Sequence, residues 1–540
     1  MGEDPNSSPR QALMNRPATR RALLGGAAAI AAGGTAFAVV GLSTSSKADS
    51  SKDNQLVVPG VSTDRTSTPV EDLKRPIEDP KLRAAHLLRR AAWGGTQAQI
   101  DEFAALSRED AADRLLNFAS TDNSALNARV EAAQFNLTTP GRGLDGKRPP
   151  LIRDMQRWWL TRMSYTARPL EERMTYIWHG LLTSQLSQVG NQSAKMMVAQ
   201  NELFRAHAVG RYDDLLQAVS KDPAMMTYLN TLESSKDHPN ENYPREIMEL
   251  FSMGEGNYTE NDVRESARAF TGWRLTPPNR EQPPAGISEK ERDEFLNQLH
   301  GTYEPQWRLV PNQHDSGSKT FLGKTGNFDG TDIVAIIMEQ PATARFITKR
   351  LFSEFAYRNP DEATVGKLVD VWNSSNHDTR AVVRAILVSD EFYSLRAYRS
   401  LVRSPIEFII GAVRGLELEA DFLQIEQTSQ SMDQRLYEPP SVAGWPGGEV
   451  WLSSGTFFAR VNFLDSFLRA RNRPLPVPAL SGLTSAEEIV DAALARLVDG
   501  NVLPASRDAI VAHAKTISNP QDRASSVAYL VLSSPEFQLI

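Results

Sequence analysis

From Asp79 to the C-terminus the apolar residues recur at helical spacing over segment after segment, and this periodicity limits the chain to a mainly α fold. Leu82, His86, Leu87 and Arg90 share one helical stripe, which Gly94 and Gly95 end. Residues 97–118 and 151–165 are amphipathic without Pro or Gly, and residues 170–188 and 193–220 continue the pattern. Two further helices are expected over Pro244–Met253 and Glu260–Phe270, with Thr259 and Asp262 forming a capping box before the second. Residues 274–330 break the pattern with Pro277, Pro278, Pro283, Pro284 and Pro305. They predict a loop-rich insertion with at most a small β-hairpin, its strands Trp307–Val310 and Lys319–Leu322. Helices resume from Gly330 to about Leu416. Residues 436–456 are irregular around Pro439, Pro440 and Gly444–Gly448. Residues 79–540 are therefore expected to form a single large multi-helix domain.

The N-terminus reads as an address. Thr19-Arg20-Arg21-Ala22-Leu23-Leu24 precedes an apolar stretch to Leu42, the layout of a twin-arginine signal peptide over residues 1–48. Ser46-Lys47-Ala48 is a small-x-small cleavage site, and residues 49–78, rich in Ser, Thr, Asp and Lys, read as a flexible linker. An uncut apolar run of this length would instead serve as an anchor. Cleavage removes Arg10, Arg16, Arg20, Arg21 and Lys47 from 59 basic residues, and Glu3 and Asp4 from 66 acidic ones. It leaves 54 against 64. An acidic mature chain argues against non-specific nucleic-acid binding. The expected localisation is secreted or envelope-associated, with no membrane segment after cleavage. There is no cysteine, so disulfides, thiolate metal ligands, cysteine catalysis and covalent haem attachment are excluded.

The chain also resembles one family, the bacterial domain of unknown function DUF1800. The runs that carry the resemblance are Ala85–Gly94, Glu172–Thr175 leading into Trp178-His179, and Pro239–Phe251. They continue through Gly254, Tyr258–Glu260, Asp262-Val263 and Ala267–Trp273, then His314-Asp315, Lys319-Thr320, Gly323, Arg403–Pro405 and Gly444–Gly448. Together they cover nearly all of residues 80–540. The resemblance implies an exported helical protein, encoded beside a second exported protein, and it implies no activity.

Chemistry is densest between Asn240 and Glu249. On a helix Glu246 and Glu249 stand about 60° apart, with Glu246 at the edge of the apolar face formed by Tyr243, Ile247, Leu250 and Phe251. Paired carboxyl groups with pKa values pushed apart suit acid–base work. The competing reading is an ion-pair stripe of Glu241, Arg245 and Glu249, spaced four apart. The eight histidines include no pair at metal-ligand spacing, so a metal site would need distant segments. His179 and His207, on helices leading towards Glu246, would form with it a ligand set for a divalent metal; each alone also reads as a structural histidine. His314 with Asp315 lies in a polar loop, where Asp315 could orient the imidazole, and Lys319 follows. No Gly-x-Ser-x-Gly motif occurs. Trp273 and Trp445, beside loops, would either stack on sugar rings or pin those loops to the body.

These residues predict an exported enzyme acting on an extracellular or envelope polymer. His179, His207, Glu246, Glu249, His314 and Asp315 would be catalytic, and Arg245, Lys319, Trp273 and Trp445 would contact substrate. The alternative is a non-catalytic binding or assembly protein that works with glycan or with another exported protein. A haem protein with a histidine ligand is a third.

Overall fold

The computed structural model describes residues 73–137, 151–189, 193–277, 304–423, 425–468 and 474–540, with a few positions between 284 and 292. The expected signal peptide and residues 49–72 of the expected linker, like much of the insertion, lie outside the described residues. The described chain is mainly α, as its periodicity predicts. No described helix is long and apolar enough to cross a membrane.

Local chemistry sets the helix ends. Leu151–Tyr165 forms as one helix. The 97–118 segment is split into Gln97–Ala104 and Arg108–Leu116, because Ser107 caps a new start by accepting from the Asp110 amide. The 170–188 segment becomes Pro169–Leu181 with a short Leu186–Val189 turn. The 193–220 segment becomes Ser193–Ala206 and Tyr212–Ser220. Asn242–Glu249 begins two residues before the expected Pro244 and stops four before Met253, where Gly254 at φ +82° lets the chain turn back onto Met248. Glu260–Ala269 has the predicted capping box.

The expected hairpin needs correction. Both predicted strands exist, but they do not pair with each other. Strand β1 (Trp273–Leu275) pairs antiparallel with β2 (Trp307–Leu309), and β3 (Lys319–Phe321) pairs antiparallel with β4 (Lys324–Gly326). The 3-10 turn Pro311–Gln313 separates β2 from β3. Leu322 (φ +46°) and Gly323 (φ +80°) make the tight β3–β4 turn, and Asp262 holds it by accepting from the Leu322 amide at 2.8 Å.

The helices bury two apolar cores. Pro80–Ala92, Pro169–Leu181, Tyr212–Ser220, Asn242–Glu249 and Gly330–Met338 contribute to the first. Leu151–Tyr165, Pro405–Leu416, Ser454–Leu468, Ala486–Val498 and Pro520–Leu532 contribute to the second. A charged seam joins them. Arg89 and Arg173, on helices of the first core, form ion pairs with Asp499 and Glu407, which belong to the second. All four side chains are nearly inaccessible to water. Removal of one partner from such a pair strands a buried charge.

Candidate functional site

The helix Asn242–Glu249 starts from a turn in which Asn240 accepts from the Asn242 amide at 3.0 Å. Tyr243, Pro244, Ile247 and Met248 face the core, which leaves Glu246 and Glu249 half-buried at its margin. Burial raises the Glu246 carboxyl above the usual carboxylate range, and the neighbouring Glu249 raises it further, against the pull of Arg245. Glu249 accepts a hydrogen bond from the Tyr258 hydroxyl. Burial, then that bond, raises the Tyr258 phenol. Glu246 also raises the half-buried Tyr228 phenol, after burial and ahead of Glu438. Tyr228 packs against both cores, which sets Glu246 near their junction.

Arg245 is not bound to Glu249. It forks onto Glu260 at 2.8 and 2.9 Å and reaches Glu241 at 3.3 Å. The ion-pair stripe is thus realised for Glu241 and Arg245, and Glu249 is left to Tyr258. A direct contact of Arg245 with substrate would compete with this exposed fork, which is bidentate.

The histidines are elsewhere in the fold. His179 is 1% exposed, enclosed by Trp159, Tyr437 and Trp445 at ring distances of 5.1, 5.4 and 5.5 Å. Its Nε2 accepts from the Tyr437 amide at 3.2 Å, and burial lowers its pKa to about 3. This places Trp445 as a pin for the 436–456 loop. His207 is half-buried near the end of the Ser193–Ala206 helix. No group of three or more His, Asp or Glu side chains that could hold a metal ion exists among the described residues. His179, His207 and Glu246 therefore do not form the expected ligand set.

The His314 loop is a separate local assembly. His314 Nδ1 meets the Thr271 carbonyl at 2.9 Å, so Asp315 does not orient it as the sequence suggests. The Asp315 carboxylate instead accepts from Arg268 Nε at 2.7 Å and from the Gly317 amide at 2.8 Å. Arg268 chiefly holds its pKa down, against burial. Lys319, 1% exposed, donates to the Asp315 and Gly317 carbonyls at 2.6 and 3.0 Å, and burial lowers its pKa. These contacts close the loop rather than present it to a ligand. Gly272 makes room for it: at φ +77°, a Cβ there would stand 2.8 Å from the His314 amide nitrogen. Trp273 is fully buried against Phe270 and Trp307 and is unavailable to a sugar ring.

Sequence reasoning missed the groups that hold the body together. Glu172, 0% exposed, accepts from Trp159 Nε1, Arg162 Nε and Arg205 Nε at 3.0, 2.9 and 2.8 Å. Burial opposes its ionisation, but Arg205 and Arg162 prevail and lower its pKa. A Glu-Arg pair in a helix that also carries Leu170, Met174, Ile177, Trp178 and Leu181 was the available signal: Glu172 and Arg173 point into two different buried networks.

Asp222 was also missed. It is 3% exposed and accepts from Gln200 Nε2 at 2.7 Å and the Met225 amide at 2.9 Å. Burial raises its pKa to about 7, above the unfolded value near 3.9. Between those values the unfolded chain loses the proton that the folded chain keeps, so the contribution of Asp222 to stability falls as pH rises from about 4 to about 7. Asp222→Asn is expected to raise the melting temperature at pH 8 and to change it little at pH 4. Equal shifts at both pH values would contradict this.

A family model described as a protein of unknown function, DUF1800, matches residues 86–539. No curated protein and no solved structure matches the chain.

Proposed function

We propose a function on one premise: this chain belongs to the DUF1800 family, whose description assigns no activity. The function is that of an exported hydrolase of an extracellular or envelope polymer, with Glu246 as proton donor and Glu249 as its partner carboxyl group. One observation carries it. Glu246 is a carboxyl group raised by burial and by a second carboxylate, yet still half-exposed. Glu172 and Glu407, by contrast, are closed in by arginines. Residues three apart on a helix have Cβ atoms about 5–6 Å apart, so the two side chains are neighbours, as the paired carboxyl groups that cleave glycosidic bonds must be. The twin-arginine pattern Thr19–Leu24 and its apolar stretch support export.

The test is release of reducing ends from purified peptidoglycan sacculi and from a panel of neutral and acidic polysaccharides. Glu246→Gln is expected to lower the rate by about 100-fold or more while preserving polymer binding and melting temperature. A donor must be protonated, so wild-type activity should fall as pH rises through the raised pKa of Glu246, and the variant should lack that limb. A second reading, a non-catalytic binding or assembly protein, is favoured by the commitment of His179 and His314 to backbone contacts. Wild-type protein that sediments with a polymer and releases no ends from any would replace the first reading with the second.

A further inference from the structure

Large apolar side chains are kept from water almost everywhere in the described chain. Four are exposed, and three of the four, Leu423, Val450 and Phe458, lie on neighbouring elements. Leu423, 52% exposed, precedes the helix Ile425–Ser431. Val450, 54% exposed, sits in the 3-10 turn Gly448–Leu452. Phe458, 38% exposed, lies in the second turn of Ser454–Leu468, and this helix packs against both other elements. The half-buried Trp451 follows Val450, and the half-buried Val461 stands three residues from Phe458 on the same helix face. Single exposed apolar residues need no explanation, but a group of them marks a surface that another surface covers.

The exposed charges around this group are acidic. Asp421 and Glu449 stand beside Leu423 and Val450, and Asp465 stands two helical turns from Phe458 on the same face. Between Asp421 and Leu468 the only basic residues are Arg435 and Arg460, and neither is exposed. A segment that fits here is apolar and carries a basic flank.

The described chain begins close by. The Leu73 carbonyl accepts from the Arg396 amide at 2.7 Å, and Arg396 Nη2 donates to the Asn359 carbonyl at 3.3 Å. The guanidinium of the adjacent Arg358 lies on Gly447 and Gly448, where a Cβ would stand 2.8 Å from its Nη2 and Nη1 respectively. Gly448 opens the turn that holds Val450 and Trp451. Upstream of Leu73, residues 43–72 lead back to the apolar stretch Ala22–Leu42, which Arg10, Arg16, Arg20 and Arg21 precede. A random coil as long as residues 43–72 spans about 30 Å. Such a tether gives its end an effective concentration on the order of millimolar, so a weak contact suffices to hold it.

We infer that the surface of Leu423, Val450, Trp451 and Phe458 is a docking site for this chain's own apolar stretch Ala22–Leu42, with the arginines before it lying along Asp421, Glu449 and Asp465. The contact takes two apolar surfaces out of water together for as long as the segment stays attached, and removal of the segment bares the site. The docking stands apart from the hydrolase reading and does not require it.

The test uses full-length protein with its N-terminal segment uncut and with Phe37→p-benzoylphenylalanine as a photo-crosslinker. After irradiation, mass spectrometry is expected to find crosslinks to residues 449–461 of the same chain. Val450→Ser combined with Phe458→Ser should cut that yield at least about tenfold, the scale for one buried apolar side chain, with no change in melting temperature. Leu106→Ser, at the fourth exposed apolar residue, should leave the yield as it is. No crosslink, crosslinks confined to other surfaces, or an undiminished yield in the double variant overturns the inference. In a mixture of isotopically heavy and light protein, crosslinks that join heavy to light chains mean that a second copy occupies the surface, and they overturn self-docking. If the double variant does not fold, the map of crosslinks in the otherwise wild-type chain decides by itself: residues 449–461 support the site, and any other surface overturns it.

Discussion

Replacing Glu172 by alanine is expected to destabilise the protein by about 3–5 kcal/mol, the scale for breaking a buried ion pair from one side. Glu172 lies on Pro169–Leu181 and draws two neighbouring helices onto it. Trp159 and Arg162 come from Leu151–Tyr165, and Arg205 comes from Ser193–Ala206. Arg205 grips both of its carboxylate oxygens, at 2.8 and 3.0 Å. Without the carboxylate, Arg205 and Arg162 face each other from positions 7% and 14% exposed. Glu172→Gln should also be costly, since its amide N–H groups would meet donors. Glu172→Leu combined with Arg205→Met should recover part of the loss, because the charge that Arg205 would strand is then gone. Denaturant unfolding of the variants measures all three. A loss below about 1 kcal/mol for the alanine variant would place Glu172 among ordinary surface salt bridges.

The second large effect is acid sensitivity. His179 keeps its ring neutral down to about pH 3, whereas an unfolded histidine takes up a proton near pH 6.5. Between those values the histidine binds more protons in the unfolded chain, so the contribution of His179 to stability rises with pH across the window. The stability associated with neutral His179 is present above about pH 6.5. It is lost on acidification, by about 5 kcal/mol at pH 3 (a little over three pH units at 1.36 kcal/mol each). His179→Gln keeps an acceptor for the Tyr437 amide and removes the titration. It should be less stable than wild type at pH 7.5, through poorer packing against Trp159 and Trp445, and should close that gap as pH falls towards 4. Parallel plots of melting temperature against pH would refute the assignment. His86, also buried and held well below its ordinary pKa, adds to the acid sensitivity of both proteins alike and cancels in the comparison.

The sequence makes the helices legible because their signals are local. The Leu151–Tyr165 helix and the Thr259–Asp262 capping box are set by residues within one or two turns of each other. Breaks are also local but weaker: Ser107 can be read as an ordinary helix residue until its cap is seen. Strand pairing was not legible, since Trp273–Leu275 finds its partner beyond a long insertion. In the candidate site, the Glu246–Glu249 pair was readable from a three-residue spacing. The fate of the histidines was not. His179 is fixed by Tyr437, and the partners of Arg89 and Arg173 lie 410 and 234 residues away. Composition hides the seam as well, because an overall acidic chain gives no hint that its interior is rich in arginine.

Those long spans have a consequence for how the polypeptide is made. Arg89 belongs to the first long helix of the described chain, and Asp499 emerges from the ribosome only when synthesis is almost complete. Until then Arg89, and after it Arg173, wait with their guanidinium groups unanswered. Closure of such distant contacts is slow, and domains of this kind pass through partly assembled states. A translocation pore that threaded the chain from its N-terminus would place the two halves of each pair on opposite sides of a membrane at the moment they need to meet. Under the export proposed above, a molecule so stitched would be finished in one compartment and moved whole.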